Sequence, residues 1–352
     1  MTRAAGLASK AASLLALLGA LAFSPVFCAA QQTGPSTWVL VYAGGPTRPS
    51  YSVSDFVHLI ASIDRSGKPA GWLSTGTIFL EAFAPSGRVF ATWIGGQFAD
   101  GNDWSAYLHM LFDPTGALRR LNSAVALVSG QAGSLREKFP VVIMIPYPDT
   151  SVSELDVPWG KYSLASIDGR LQAADAYITE VVSRFRQNEY ANLRLTGFYW
   201  LKESIWGDDI RLTSDVAKRI HQLGLRFFWI PFYASGPNVV LWARIGFDQA
   251  WLQPNYFFNL GVSALRLDSA VSRARSLGMG LEVEFNGRLF SGQEYFNRLD
   301  PYLTALERAS DLRQKSVVIF EGGGALIRLS SSTDSVYRAL YSRLVETLQV
   351  ER

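Results

Sequence analysis

Eight short apolar runs, all but the fifth followed by a stretch of helical periodicity, constrain what this chain can fold into more than any single motif does. The runs cover residues 38–43, 77–83, 141–146, 195–200, 226–232, 248–253, 279–285 and 316–320. Apolar runs of about 4–8 residues bounded by turn signals suit strands covered on both faces, as in a parallel sheet. Apolar residues at three- and four-residue spacing predict helices from Ser52 or Ser54 to Ile63, then over 115–132, 166–187, 212–223, 263–277, 293–312 and 332–348. Such alternation with right-handed crossovers leaves a closed barrel or a doubly wound sheet. The first strand ends in Gly44-Gly45-Pro46, without a three-glycine dinucleotide fingerprint and without an immediate helix. The expected fold is therefore a single (β/α)8 TIM barrel. Its one irregularity is a long loop insertion after strand 2, over 87–113, running through Trp93, Phe98, Trp104 and Tyr107.

The first 30 residues read as a processing signal. Arg3 and Lys10 precede an apolar stretch over 14–23, and Cys28-Ala29-Ala30 supplies a small-residue exit. Cleavage after Ala30 is expected, leaving the barrel over 31–352 without a stable membrane span, periplasmic or secreted from a bacterium. The single cysteine lies in that leader, so the mature chain has no disulfide and relies on its core. The 33 basic and 30 acidic residues nearly cancel, and two of the basic ones belong to the leader, so charge gives no reason to expect nucleic acid as a partner. His58, His109 and His221 fall in no metal-ligand spacing, and no nucleophile elbow or phosphate loop is present. Neither a metal nor another cofactor is expected.

Chemistry points to carboxylates. The run Leu195-Thr196-Gly197-Phe198-Tyr199-Trp200-Leu201-Lys202-Glu203 places an acid at the carboxyl end of the fourth strand, where barrels carry catalytic groups. On the seventh strand Glu282 and Glu284 share one face, because side chains alternate. The second strand carries Glu81 near its end. A pair of acids from different strands is the minimum for glycoside hydrolysis, and Glu203 with Glu284 is the natural pair. Tyr199, Trp200 and Trp206 surround the first acid and offer rings for stacking on sugar faces. The other strand ends present Tyr147, Asp149, Tyr233, Gln253, Asn255, Tyr256, Asn286 and Glu321 as groups for sugar hydroxyls. Carbohydrate, as a polysaccharide or oligosaccharide, is the expected partner.

An ordered set of motifs carries a family resemblance. Gly197-Phe198-Tyr199-Trp200 with Glu203, Trp229-Ile230-Pro231-Phe232-Tyr233, Gly246-Phe247-Asp248 with Gln253-Pro254-Asn255-Tyr256-Phe257-Phe258, and Gly280-Leu281-Glu282-Val283-Glu284-Phe285 together resemble the bacterial domain of unknown function numbered 4855. The resemblance covers most of the mature chain and implies a glycoside-hydrolase-type barrel. The layout is also similar to that of retaining barrel glycosidases, which implies Glu203 as acid/base and Glu284 as nucleophile. Inversion with Glu282 as base is a variant of this reading, and a barrel that binds carbohydrate without cleaving it is the alternative.

Overall fold

The computed structural model describes residues 36–91 and 94–348, so the leader expected over 1–30, Cys28 and Trp93 lie outside the described residues. Eight parallel strands close a barrel: β1 Thr37–Tyr42, β2 Gly76–Leu80, β3 Phe139–Ile145, β4 Leu193–Trp200, β5 Arg226–Trp229, β6 Gln249–Leu252, β7 Gly280–Glu284 and β8 Val317–Phe320. Each strand pairs with its sequence neighbours, and β1 returns to β8 through Trp38 opposite Val318. The principal helices are α1 Val53–Ile60, α2 Gly101–Phe112, α3 Ala117–Ala132, α4 Ile167–Gln187, α5 Asp209–Gln222, α6 Leu265–Leu277, α7 Asp300–Arg308 and α8 Ser335–Leu348. The (β/α)8 barrel expected from the alternation is the fold observed. All eight strands run the same way, so their carboxyl ends open on one mouth. Among the described residues no helix is long and apolar enough to cross a membrane.

Three segments depart from the sequence reading. The insertion over 87–113 is not a plain loop, since α2 occupies its second half. Asp100 caps that helix, accepting from the amides of Asn102 and Asp103, and the Asp103 carboxylate returns a bond to the Asp100 amide. Trp104, Tyr107, Leu108 and Leu111 recur at three and four and are buried against the core, so these aromatics do not line a rim. The helix expected to reach Ile63 stops at Ile60, because Ala61–Ile63 turns into a hairpin with Pro69–Trp72. The helix expected over 293–312 is broken into Gln293–Phe296, α7 and Ser310–Lys315, with Pro301 in the first turn of α7, where its missing amide proton costs nothing.

The floor of the barrel is an aromatic plug. Trp38 of β1 lies 5.5 Å from Phe228 of β5 and 6.1 Å from Trp251 of β6, and the last two rings stack at 5.9 Å. Rings of this size fit because the facing strands carry glycine. A Cβ at Gly76 would stand 2.5 Å from Trp38, one at Gly280 would stand 2.5 Å from Trp251, and one at Gly197 would meet the Arg226 carbonyl at 1.9 Å. The indole of Trp251 donates to Ser316 Oγ at 2.9 Å, so its polar edge is satisfied. Because the obstacle at Gly197 is backbone, Gly197→Ala is expected to destabilise the fold by about 1–3 kcal/mol. Thermal unfolding checks this; an unchanged midpoint would show that β4 and β5 can separate at no cost.

Candidate active site

Alternation along the strands decides what reaches the mouth. On β7, Leu281 and Val283 are buried toward the helices, whereas Glu282 and Glu284 face the lumen. Their orientation follows from their neighbours: Glu282 acts electrostatically on Tyr42 at the end of β1 and on Tyr199 at the end of β4, strands that can meet β7 only through the interior. Glu203, three residues beyond β4, belongs to the same cluster and feels Glu284.

The acids have opposite surroundings. Glu284 is buried and held by donors: Gln253 Nε2 reaches Oε1 at 3.0 Å, while Tyr302 Oη donates to Oε2 at 2.6 Å and the Tyr256 amide at 3.3 Å. Asn255 precedes that amide with φ of 53°, a left-handed conformation that Asn tolerates better than most residues, and its own amide also supports Glu284. Burial, the largest influence, leaves Glu284 above the ordinary carboxylate range, while the four donors limit that rise by favouring its charged form. Glu203 is half-buried and accepts no hydrogen bond among the described residues; burial first, then the charge of Glu284, push it up to about 8. Glu282 is 2% exposed, its Oε2 has no partner among the described residues, and burial, Glu284 and Glu203 in that order hold it well above the ordinary carboxylate range. Of the three acids, Glu203 and Glu282 are pushed toward the neutral form with no donor among the described residues to oppose it, whereas Glu284 has donors that favour its charge.

The segment bearing Glu203 rests on a buried ionic network. Asp209, at the start of α5, takes Tyr147 Oη at 2.7 Å, Arg170 Nη2 at 3.1 Å and Lys202 Nζ at 2.5 Å, and Lys202 also reaches Tyr147 Oη at 3.0 Å. The Lys202 carbonyl accepts from Trp229 Nε1 at 2.8 Å, and Asn238 Nδ2 donates to the Ile205 carbonyl at 2.9 Å. On the opposite side Arg48 clamps Glu81 through Nε at 3.0 Å and Nη2 at 3.3 Å, and donates to the Gly322 carbonyl at 3.2 Å.

The residues singled out in the sequence divide by place. Glu203, Glu282, Glu284, Tyr199, Gln253, Asn255 and Tyr256 converge on one cluster. Trp206 lies across Gly236 and is 49% exposed, free to present a face to a ligand. Trp200 is fully buried between Tyr147 and Phe227; as the neighbour of lumen-facing Tyr199 it points outward and offers nothing to a sugar. Tyr147 is spent on the Asp209 network. Asp149 closes a turn through the Ser151 amide at 2.9 Å, Tyr233 sits under Arg266 and Arg273, and Asn286 caps the turn at Gly287–Phe290. Glu321 is fully buried and wrapped by its own backbone, accepting amides from Gly323 at 2.9 Å, Gly324 at 2.6 Å and Leu326 at 3.2 Å. Gly322, Gly323 and Gly324 all adopt positive φ to do this, which explains the triple glycine and leaves the carboxylate a structural group.

Sequence reasoning missed Tyr42, Arg48, Lys202, Asp209 and Tyr302 as site residues and left Glu81 unassigned. Missed too were Phe258 and Phe320, half-buried rings that meet edge to face at 5.6 Å beside Tyr42. Removing the Tyr302 hydroxyl takes away the shortest of the bonds that hold the Glu284 charge. A bond to a charged group is worth about 1.5–3 kcal/mol, so Tyr302→Phe is expected to lower any turnover that uses ionised Glu284 by about ten- to a hundredfold. Steady-state rates check this, and an unaltered rate would remove Tyr302 from the site.

Fold and site together define a (β/α)8 barrel with a cluster of lumen-facing acids toward the carboxyl ends of its strands. The chain belongs to the family described as a domain of unknown function, DUF4855, which matches residues 37–346. No curated protein matches it. Among solved structures it is similar to an intracellular xylanase from Thermoanaerobacterium saccharolyticum, with 12% identity and a TM-score of 0.42 over 83% of this chain and 86% of the xylanase. A mutant tryptophan synthase alpha-subunit from Pyrococcus furiosus is similar with 11% identity and a TM-score of 0.41, over 89% of this chain and 97% of that one. Likenesses at these identities carry no chemistry to this site.

Proposed function

We propose that the protein is an exported glycoside hydrolase that cleaves a polysaccharide, with Glu203 as the acid that protonates the leaving oxygen and Glu284 as the carboxylate that attacks the anomeric carbon. The observation that carries the reading is the split between the two acids. One has no donor and is pushed up to about 8, while the other is held by Tyr302, Gln253 and two backbone amides. Two carboxyls in unlike environments are what acid and nucleophile roles at one pH require. Glu203 then takes the proton back from water as the glycosyl-enzyme is hydrolysed. Trp206, Phe258 and Phe320 supply rings for stacking on sugar faces. The leader expected over residues 1–30 fits action on an external polymer.

The test is release of reducing ends from a panel of bacterial exopolysaccharides and plant glycans by the mature protein, with Glu203→Gln and Glu284→Gln alongside. Release by the parent that collapses in both variants is the expected result. Release that survives either substitution would dismiss that residue, and binding without release in all three proteins would make this a carbohydrate-binding barrel. The anomer formed first, read by proton NMR, separates retention from inversion with Glu282 as base.

A further inference from the structure

A single apolar side chain in water needs no explanation, but Trp206 is held in place as well as exposed. It is 49% exposed, and its six-membered ring lies on the backbone of Gly236, where a Cβ would stand 2.1 Å from Cζ2 and 2.4 Å from Cη2. Gly236 also adopts φ of 95°, so the loop after β5 needs glycine there on two counts. The chain on both sides of the ring is pinned: Asn238 Nδ2 donates to the Ile205 carbonyl at 2.9 Å, and the Asp209 amide donates to the Trp206 carbonyl at 3.0 Å. A flat ring fixed on backbone and half open to solvent is presented to something outside the chain. Trp206 follows Glu203 by three residues, so their Cα atoms are at most about 11 Å apart.

A second aromatic group stands across the mouth. Phe320 ends β8 and meets Tyr42, at the end of β1, at 5.2 Å and Phe258 at 5.6 Å, both edge to face. In the closed ring of eight strands, the sector of β4 and β5 lies opposite that of β8 and β1. Glu203 belongs to the Trp206 side, and Glu284 to the strand next to β8.

We infer that the polymer crosses the mouth and is cut at internal bonds, its leaving-group side stacked on Trp206 and its other side on Phe258 and Phe320. The direction rests on the glycoside-hydrolase reading: the acid that protonates the leaving oxygen shares a loop with Trp206, and the attacking carboxylate lies beside β8. Sugars held on both sides supply binding energy remote from the reacting bond. An enzyme that removes single units from a chain end has no use for one of the two sides.

The test compares the parent with Trp206→Ala, Trp206→Tyr and Phe258→Ala. The probes are soluble xylan, mixed-linkage glucan, galactan and dextran, and the glycosyl fluorides of the matching disaccharides, which carry no sugar on the leaving side. Viscosity of the polymer that is cut is expected to drop well before reducing ends accumulate. Trp206→Ala is expected to raise KM about three- to tenfold more on the polymer than on the fluoride, the share of one aromatic contact. Trp206→Tyr, which keeps a ring, should recover most of that difference, and Phe258→Ala should cost both substrates alike. A polymer shortened from one end only, or a Trp206→Ala loss equal on both substrates, overturns the inference while the hydrolase reading stands. If no glycan is cut, the hydrolase reading falls and affinity electrophoresis in the same polymers decides the role of Trp206. Retardation lost in Trp206→Ala upholds it there, and retardation absent or unaltered overturns it.

Discussion

Glu284→Ala is expected to lower turnover by about a thousandfold or more, since it removes the group proposed to form the covalent bond to the sugar. Added azide should restore part of the rate by occupying the vacated space and attacking the anomeric carbon itself. Glu203→Gln is expected to cost about 10²–10⁴-fold on a polysaccharide, the usual share of general acid catalysis. It should cost far less on an aryl glycoside whose leaving group needs no proton. If both variants lose the same factor on both kinds of substrate, the division of roles is wrong. The pH dependence follows from the same split. Glu203 must hold its proton, so kcat/KM is expected to fall as pH rises through about 8. Stability moves in the same direction: an acid raised in the folded state from 4.5 to about 8 binds more protons there than in the unfolded chain, so the fold loses stability as pH climbs across that window.

Asp209→Ala is expected to be the most destabilising single change in the site. The carboxylate is nearly inaccessible and neutralises Arg170 and Lys202 while accepting from Tyr147. Breaking a buried ion pair by deleting one partner costs about 3–5 kcal/mol, because the remaining charges are left uncompensated. The same change frees the segment that carries Glu203, so activity should fall further than the folded fraction does. Chemical denaturation and kinetics on the folded fraction check both effects. Wild-type stability with wild-type rates would show that the network does not hold Glu203.

The barrel was legible because its strands are apolar on both faces and separated by helical spacing, and Glu203, Glu282 and Glu284 were legible because strand ends and two-residue alternation place them. That same two-sided apolarity hid which face of β4 is the lumen. Tyr199 and Trp200 read alike, and only Gly197, two residues before Tyr199 and facing the aromatic plug, hints at the inward register. Glu321 resembled a ligand group, yet the three glycines after it were the sign of a backbone wrapped around a carboxylate. Tyr302 reaches Glu284 from the first turn of α7, and Arg48 reaches Glu81 from the loop after β1. Those contacts arise only from barrel closure, and no local spacing encodes them. The insertion after β2 reads as a loop because glycine and aspartate interrupt its first half, while the helical spacing of Trp104, Tyr107, Leu108 and Leu111 is confined to its second half.

The central claim is that one mouth holds Glu203 as an acid and Glu284 as a carboxylate at the same pH. Carbon-13 NMR titration of the glutamate side-chain carboxyls tests it without knowledge of the sugar. The signal that disappears in Glu203→Gln is expected to titrate near 8 in the parent and to move down when Glu284 is changed to Gln, because the neighbouring charge is then gone. A Glu203 signal that titrates at the ordinary carboxylate value, about 4.3, and ignores Glu284 would contradict the account.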